Sequence, residues 1–258
     1  MKTKKGKEIS HHSPPLPKDL TQVVILCGGR GTRLKPLTDD IPKALVHVKK
    51  RPILDYVLDF YRSKGFSRFT LCVGYKGEKI KEYYSDKRGE GKIVFSDAGE
   101  SASMLERIAV LKDSVEKTFF VSYGDTLVDL DTKAMMDFHQ KQQASTTIVT
   151  AKIRSPFGLV DVDGQGWVTS FVEKPLLSYY IGSFVMDRSA LTQVTDAMRQ
   201  KSDGTGLVEF FMFLAKQKKL AVFEHQGAQL TFNTESERLL AEESLGKFYT
   251  YSEKEIKK

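Results

Sequence analysis

The stretch Leu26–Val48, LCGGRGTRLKPLTDDIPKALVHV, decides how the chain is read. It closes the apolar run TQVVILCGG (Thr21–Gly29), whose unbroken Val, Ile and Leu content fits a strand buried on both faces, as in a parallel sheet. Three glycines then stand among two arginines and two lysines. Loose backbone with concentrated positive charge, directly after a buried strand, suits a polyanion. Gly28, Gly29 and Gly31 let backbone N–H groups come close to phosphate oxygens. Arg33 can hold a phosphate through two parallel hydrogen bonds, and Lys43 adds a compact second charge after Pro42. Two familiar phosphate loops are excluded: neither G-x-x-x-x-G-K-S/T nor G-x-G-x-x-G is present here.

Working outward, the chain alternates. ILDYVLDFYRSKG spaces Leu54, Val57, Leu58 and Tyr61 as one apolar helix face and stops at Gly65. RFTLCVGY (Arg68–Tyr75), KIVFS (Lys92–Ser96) and TFFVSYGD (Thr118–Asp125) read as strands, with helices at GEKIKEYYS and SMLERIAVLKD between them. Strands alternating with helices predict a mostly parallel sheet covered on both faces. After Asp125 the pattern changes to a helix (LDTKAMMDFHQKQ), a strand (STTIVTAKI), and a hairpin split by DGQG. YYIGSFVMD is another strand. Helical stretches near 188–200 and 206–217, short strands LAVFEHQG and AQLTFN, and a closing helix TESERLLAEESL follow. With no linker or repeat inside, residues 21–246 read as one domain, a nucleotide-side half at 21–125 and a second-substrate half at 126–246.

Charge sorts with position. The chain carries +7 in all, of which residues 1–20 hold +3 and residues 247–258 hold +2, leaving +2 for the span between. The basic character belongs to two expected flexible tails, which argues against a nucleic-acid partner. No apolar run is long enough to span a bilayer, and none follows the N-terminal lysines as in a secretory leader, so no membrane association is expected. Cys27 and Cys72 lie in apolar runs and read as reduced, packed thiols of a cytoplasmic protein. No histidine spacing suits zinc, and His139 falls on a predicted helix as a packed or solvated side chain.

GGRGTRLKPLTDDIPKAL resembles the motif of the sugar-nucleotide nucleotidyltransferases, G-G-x-G-T-R-L-x-P-L-T-x-x-x-P-K-x-L, with every fixed position filled. The resemblance continues through YGD, EKP (Glu173–Pro175) and IGSFVM, over roughly residues 20–245. It implies a three-layer α/β/α sandwich with a mixed, mostly parallel sheet. It also implies a Mg²⁺-dependent enzyme that joins a nucleoside triphosphate to a sugar-1-phosphate, and it allows self-association. On that likeness Leu26, Gly28, Gly29, Gly31, Thr32, Arg33, Lys43 and Gly124 hold the nucleotide. Arg33, Lys43 and Asp125 are catalytic. Glu173, Lys174 and Gly182 receive the sugar phosphate, and Asp125 with Asn233 binds the metal. CVGYKGEKIKEYY, SYGDTLVDLDTKAMMDFH, FGLVDVDGQGWVTSFVEKP and LAVFEH are most similar to glucose-1-phosphate cytidylyltransferases. Guanylyltransferases for heptose or mannose 1-phosphate share many of these positions.

The chain departs from that pattern in two places. FNTESER puts Asn233 where the family carries a second metal-binding aspartate, and an amide brings no charge to offset the metal. In SDAGESASMLERI, Ala102, Ser103 and Met104 replace a flexible Thr-Gly-Gly run beside the base. These changes leave open the base, other phosphorylated acceptors, and an impaired paralogue that keeps the pocket for regulation.

Overall fold

The computed structural model describes residues 22–85 and 91–248. The expected tails at 1–20 and 247–258 lie outside these residues, Lys247 and Phe248 excepted. In chain order, β1 (Gln22–Leu26) leads through the glycine loop and a one-turn helix α1 (Leu37–Asp40) to a minimal hairpin of β2 (His47–Val48) and β3 (Arg51–Pro52). Next come α2 (Ile53–Ser63), β4 (Arg68–Val73), α3 (Gly77–Ser85), β5 (Lys92–Asp97), α4 (Met104–Ala109) and β6 (Thr118–Tyr123). The rest comprises β7 (Thr126–Val128), α5 (Thr132–Gln142), β8 (Thr146–Arg154), β9 (Leu159–Val162), β10 (Val168–Val172), the long β11 (Leu176–Asp187) and α6 (Asp196–Arg199). It closes with α7 (Thr205–Lys216), β12 (Leu220–His225), β13 (Gln229–Thr231) and α8 (Glu235–Ser244).

Seven strands form one sheet in the order β12-β8-β11-β6-β1-β4-β5. β11 runs antiparallel to β6 and β8, and the other pairs are parallel. β1, buried at every residue, sits between β4 and β6. Because strand side chains alternate, β1 feeds two cores. Val23 and Ile25 join Leu54 and Leu58 of α2, Phe69 and Phe120. Val24 and Leu26 join Leu105 and Ile108 of α4, and Phe210 and Leu214 of α7. Each fully buried large side chain contributes roughly 1.5–3 kcal/mol. The architecture is the expected α/β/α sandwich with a mixed, mostly parallel sheet. α2 also ends where the sequence stops it, since Gly65 has φ +92.

Two expected helices are shorter than read. Over 188–200 there is a 3₁₀ stretch Arg188–Gln193, an extended break at Val194 and Thr195, and only one α turn in α6. The hydroxyl of Thr195 accepts from Met198 N at 3.3 Å, so it starts a new helix instead of continuing the old one. α4 ends at Ala109, and the remainder of SMLERIAVLKD forms turns. β2, β3 and β7 are too short for a pattern of alternation to reveal. Among the described residues, no helix is long and apolar enough to cross a membrane.

Cys27 and Cys72 are free and buried, and the Cys27 thiol donates to the Cys72 carbonyl at 3.4 Å. Burial pushes both thiols up, Cys72 to about 12. An unfolded thiol ionises near 8.5, so this contribution to stability is present below that pH and is lost as pH rises toward the folded value. A thiol reagent at pH 8 should therefore label neither cysteine until the chain opens. Rapid labelling of the native protein, read by mass spectrometry, would contradict this packing of β1.

Candidate active site

The glycine loop leaves β1 at the C-terminal edge of the sheet. Gly31 has φ +60, a left-handed conformation suited to glycine. A Cβ there would lie 3.0 Å from Lys43 Cβ and 3.1 Å from Thr38 Cγ2. The loop thus curls back onto the lysine, and Thr38 Oγ1 secures it by donating to Gly31 O at 2.9 Å. The Tyr75 amide donates to Gly28 O at 3.0 Å, tying the loop to the end of β4. Gly28 is buried, while Gly29, Thr32 and Arg33 are exposed. Arg33 makes no ion pair among the described residues.

Three sequence-distant residues meet beside this loop. Lys43 Nζ lies 2.6 Å from Asp125 Oδ2 and donates to Asn233 Oδ1 at 3.2 Å, above the Phe232 ring. Asp125 follows Gly124, whose amide donates to Leu26 O at 2.9 Å; a Cβ on Gly124 would sit 3.0 Å from Cys27 Cβ. β7, just after Asp125, pairs antiparallel with β13, matching Thr126 to Thr231. That ladder delivers Asn233 to the site, and Glu237 Oε2 accepts from Asn233 N at 2.6 Å to hold it. Two oxygens thus converge on one ammonium, which occupies a cation position. No cluster of three or more His, Cys, Asp or Glu suited to a metal occurs among the described residues.

The other predicted residues are placed differently. Gly182 has φ +78 where β11 shifts register, and a Cβ there would fall 2.7 Å from the Tyr123 ring. It therefore borders the end of β6 that carries Gly124 and Asp125. Glu173 and Lys174 pair with each other at 3.8 Å, both exposed, and do not pair with the Lys43 cluster. Lys174 has φ +44, and its carbonyl accepts from Arg154 Nη1 at 3.1 Å.

Sequence reasoning missed Arg107. This α4 residue is only 4% exposed, and its guanidinium donates to Val73 O and to Glu100 O. It fills the crevice between β1 and β4: a Cβ on Gly28 or Gly74 would lie 2.6 or 2.4 Å from it. Arg107 makes no ion pair among the described residues, so a buried cation lines the floor of the loop. In sequence it reads as one more charged residue in a helix; the two glycines ending neighbouring strands were the available signal. The altered Ala102–Met104 segment is pinned as well. Ser103 caps α4 by accepting from Glu106 N at 3.1 Å, and its hydroxyl donates to Arg199 O at 2.9 Å.

A buried strand, a glycine loop at the sheet's C-terminal edge and a lysine–aspartate pair define a nucleotide-handling α/β protein. The nucleotidyl transferase family pattern matches residues 22–228. The chain belongs to that family, a family of enzymes. It is 33% identical over 236 residues to the glucose-1-phosphate cytidylyltransferase of Salmonella typhi, covering 80% of this chain and 88% of the relative. It is 35% identical over 156 residues to the D-glycero-alpha-D-manno-heptose 1-phosphate guanylyltransferase of Campylobacter jejuni, covering 59% and 68%. Among solved structures, HddC from Yersinia pseudotuberculosis shares the fold with a TM-score of 0.68 at 24% identity, over 88% of this chain and 100% of that one.

Replacing Gly31 by Ala should cost about 1–2 kcal/mol, the penalty of a left-handed non-glycine residue. It should also displace Lys43, since the new Cβ meets that side chain. Urea denaturation measures the first effect. An unchanged midpoint would mean that the loop does not hold this conformation.

Proposed function

We propose that this enzyme joins a nucleoside triphosphate to a sugar-1-phosphate and releases pyrophosphate, with CTP and glucose 1-phosphate as the substrate pair. The observation that carries this reading is the convergence of Lys43 on Asp125 and Asn233 beside the glycine loop. The cytidylyltransferase relative, alignable over most of both chains, supports the choice of pair. The Campylobacter relative supports a second reading, GTP with a heptose 1-phosphate.

In the reaction, an oxygen of the sugar phosphate attacks the α-phosphorus in line. The bond from the α-phosphorus to the bridging oxygen breaks, and pyrophosphate leaves with the electron pair. The nucleophile is already anionic, so no strong general base is required. The difficulty is to bring two polyanions together and to stabilise added charge in the transition state. The N–H groups of Gly28, Gly29 and Gly31, with exposed Thr32 and Arg33, receive the triphosphate. Lys43 shares its ammonium between Asp125 and the α-phosphate, where charge develops. Lys174 and Glu173 bind the sugar phosphate and sugar hydroxyls as the turn carrying them closes on the substrate, and Gly182 leaves room beside Tyr123.

Mg²⁺ fits the donor set. Asp125 and Asn233 would supply one carboxylate and one amide oxygen, and this cation commonly takes one or two protein oxygens together with substrate phosphates. When bound, it neutralises phosphate charge. With a single carboxylate, the site leans more on the substrate's own oxygens.

The test is pyrophosphate release across the common nucleoside triphosphates and a panel of sugar-1-phosphates. CTP with glucose 1-phosphate should give the highest kcat/KM, and Lys43→Ala should lower it about 10²–10³-fold. No release with any pair would overturn the reading. Asn233→Asp should lower the Mg²⁺ concentration needed for half-maximal rate, because it adds a second carboxylate at the cation position. An unchanged Mg²⁺ dependence would remove Asn233 from the metal site.

A further inference from the structure

The glycine loop meets a second loop across the ends of β1, β4 and β5. Arg30 Nη2 lies 2.8 Å from Glu100 Oε1, and the Arg30 guanidinium stands 5.4 Å over the Tyr75 ring. Both side chains of the pair are exposed, so the contact contributes little to stability. Its position is what matters. Arg107, packed against Gly28 and Gly74, forms the floor, while a Cβ on Gly29 would meet nothing within 4 Å. The pair thus stands beside an open crevice.

The peptide that carries Glu100 is firmly held. Asp97 Oδ1 accepts from Gly99 N at 3.0 Å, and Ala102 N donates to Gly99 O at 3.3 Å across the turn. Arg107 Nη2 donates to Glu100 O at 3.2 Å, and Asp97 pairs with Lys81 at 2.7 Å. Gly99 has φ +92, a conformation suited to glycine. Among the described residues the Glu100 carboxylate pairs with Arg30 alone, through Oε1.

The order of the strands gives this crevice a role, a step that rests on the function proposed above. Along the sheet the strands run β11, β6, β1, β4, β5. Gly182 on β11 borders the sugar phosphate, and Asp125 after β6 with Lys43 holds the reacting phosphate. With the sugar on the β11 side, the nucleoside takes the other side, over the ends of β4 and β5. Neighbouring strands stand about 4.8 Å apart, so β1 and β5 lie about 10 Å apart, a length that a ribose and its base span.

We propose that Glu100 selects the base by accepting a hydrogen bond from the exocyclic amino group of cytosine. An ionised carboxylate is an acceptor only. Cytosine offers it the N4 amino group, whereas uracil and thymine present O4 at that place, a second acceptor with no proton between the two oxygens. Arg30 takes Oε1 and fixes the side chain, so Oε2 is the free acceptor and little rotamer freedom is lost on binding. One well-placed contact of this kind gives about 10–100-fold discrimination against the wrong base.

The test is equilibrium binding of CTP, UTP, dTTP and GTP to the purified full chain, with pyrophosphate release followed separately. The expected result is CTP bound about 10–100-fold more tightly than UTP. Glu100→Gln, at an exposed position, should leave the urea midpoint close to that of the native chain. It should bring the CTP-to-UTP ratio near one, because a carboxamide offers uracil O4 a donor. Arg30→Ala should lower the ratio in the same direction by a smaller factor, since it frees the carboxylate to move.

Equal binding of CTP and UTP by the native chain overturns the inference, as does tighter binding of UTP, dTTP or GTP. So does a Glu100→Gln chain that weakens CTP and UTP by the same factor, the result of a purely structural ion pair. A base preference that moves with Glu100 while no pairing releases pyrophosphate would sink the proposed function and leave this inference standing. Release with a preference that Glu100→Gln does not move does the reverse.

Discussion

The whole arrangement depends on covering β1 from both sides. A strand buried at all five positions, four of them apolar, cannot lie at the edge of a sheet, so it takes a central place with a helical layer above and below. Two cores follow, one under α2 and one under α4 and α7. Their packing sets where β1 ends relative to β4 and β6, and hence where the glycine loop begins. The loop gains its geometry from this neighbourhood. Gly28 and Gly74 give way to Arg107, Gly124 gives way to Cys27, and Gly31 turns back onto Lys43.

At the end of that frame, charge is balanced locally. Lys43 lies against the carboxylate of Asp125 and the amide oxygen of Asn233. A single negative charge thus faces a single ammonium, a neutral pair that a polyanion can enter without facing excess carboxylate. Arg107 adds a buried cation at the floor of the same loop. Phosphate chemistry by positioning and electrostatics needs such fixed positive groups more than it needs a titrating base.

The candidate residues differ in how firmly they are held. Lys43, Asp125 and Asn233 meet at the end of the main sheet, fixed by their ion pair, their hydrogen bond and the pairing of β7 with β13. Glu173 and Lys174 follow an exposed two-stranded ribbon, and among the described residues their charges pair with each other. On the proposed function, binding energy from the sugar phosphate helps to place them.

Much of this was legible in the residues. The buried strand, the helix face of Leu54, Val57, Leu58 and Tyr61, and the hairpin at DGQG follow from local periodicity and turn chemistry, so sequence alone determined the succession of elements along the chain and the helical cover on both faces of the sheet. Gly28, Gly31, Arg33 and Lys43 could be read as a phosphate loop because they lie within one short stretch. The tertiary structure alone decided what faces that loop. Asn233 reaches Lys43 through the pairing of β13 with β7, a strand too short to leave a periodic trace. Arg107 reaches Gly28 because α4 packs across the ends of β1 and β4. It also decided that 188–200 breaks at Thr195, where a side-chain cap competes with helix propagation. Local patterns set secondary structure because they act between near neighbours along the chain. A site in which Lys43 meets a residue 190 positions away exists only once the two cores have closed.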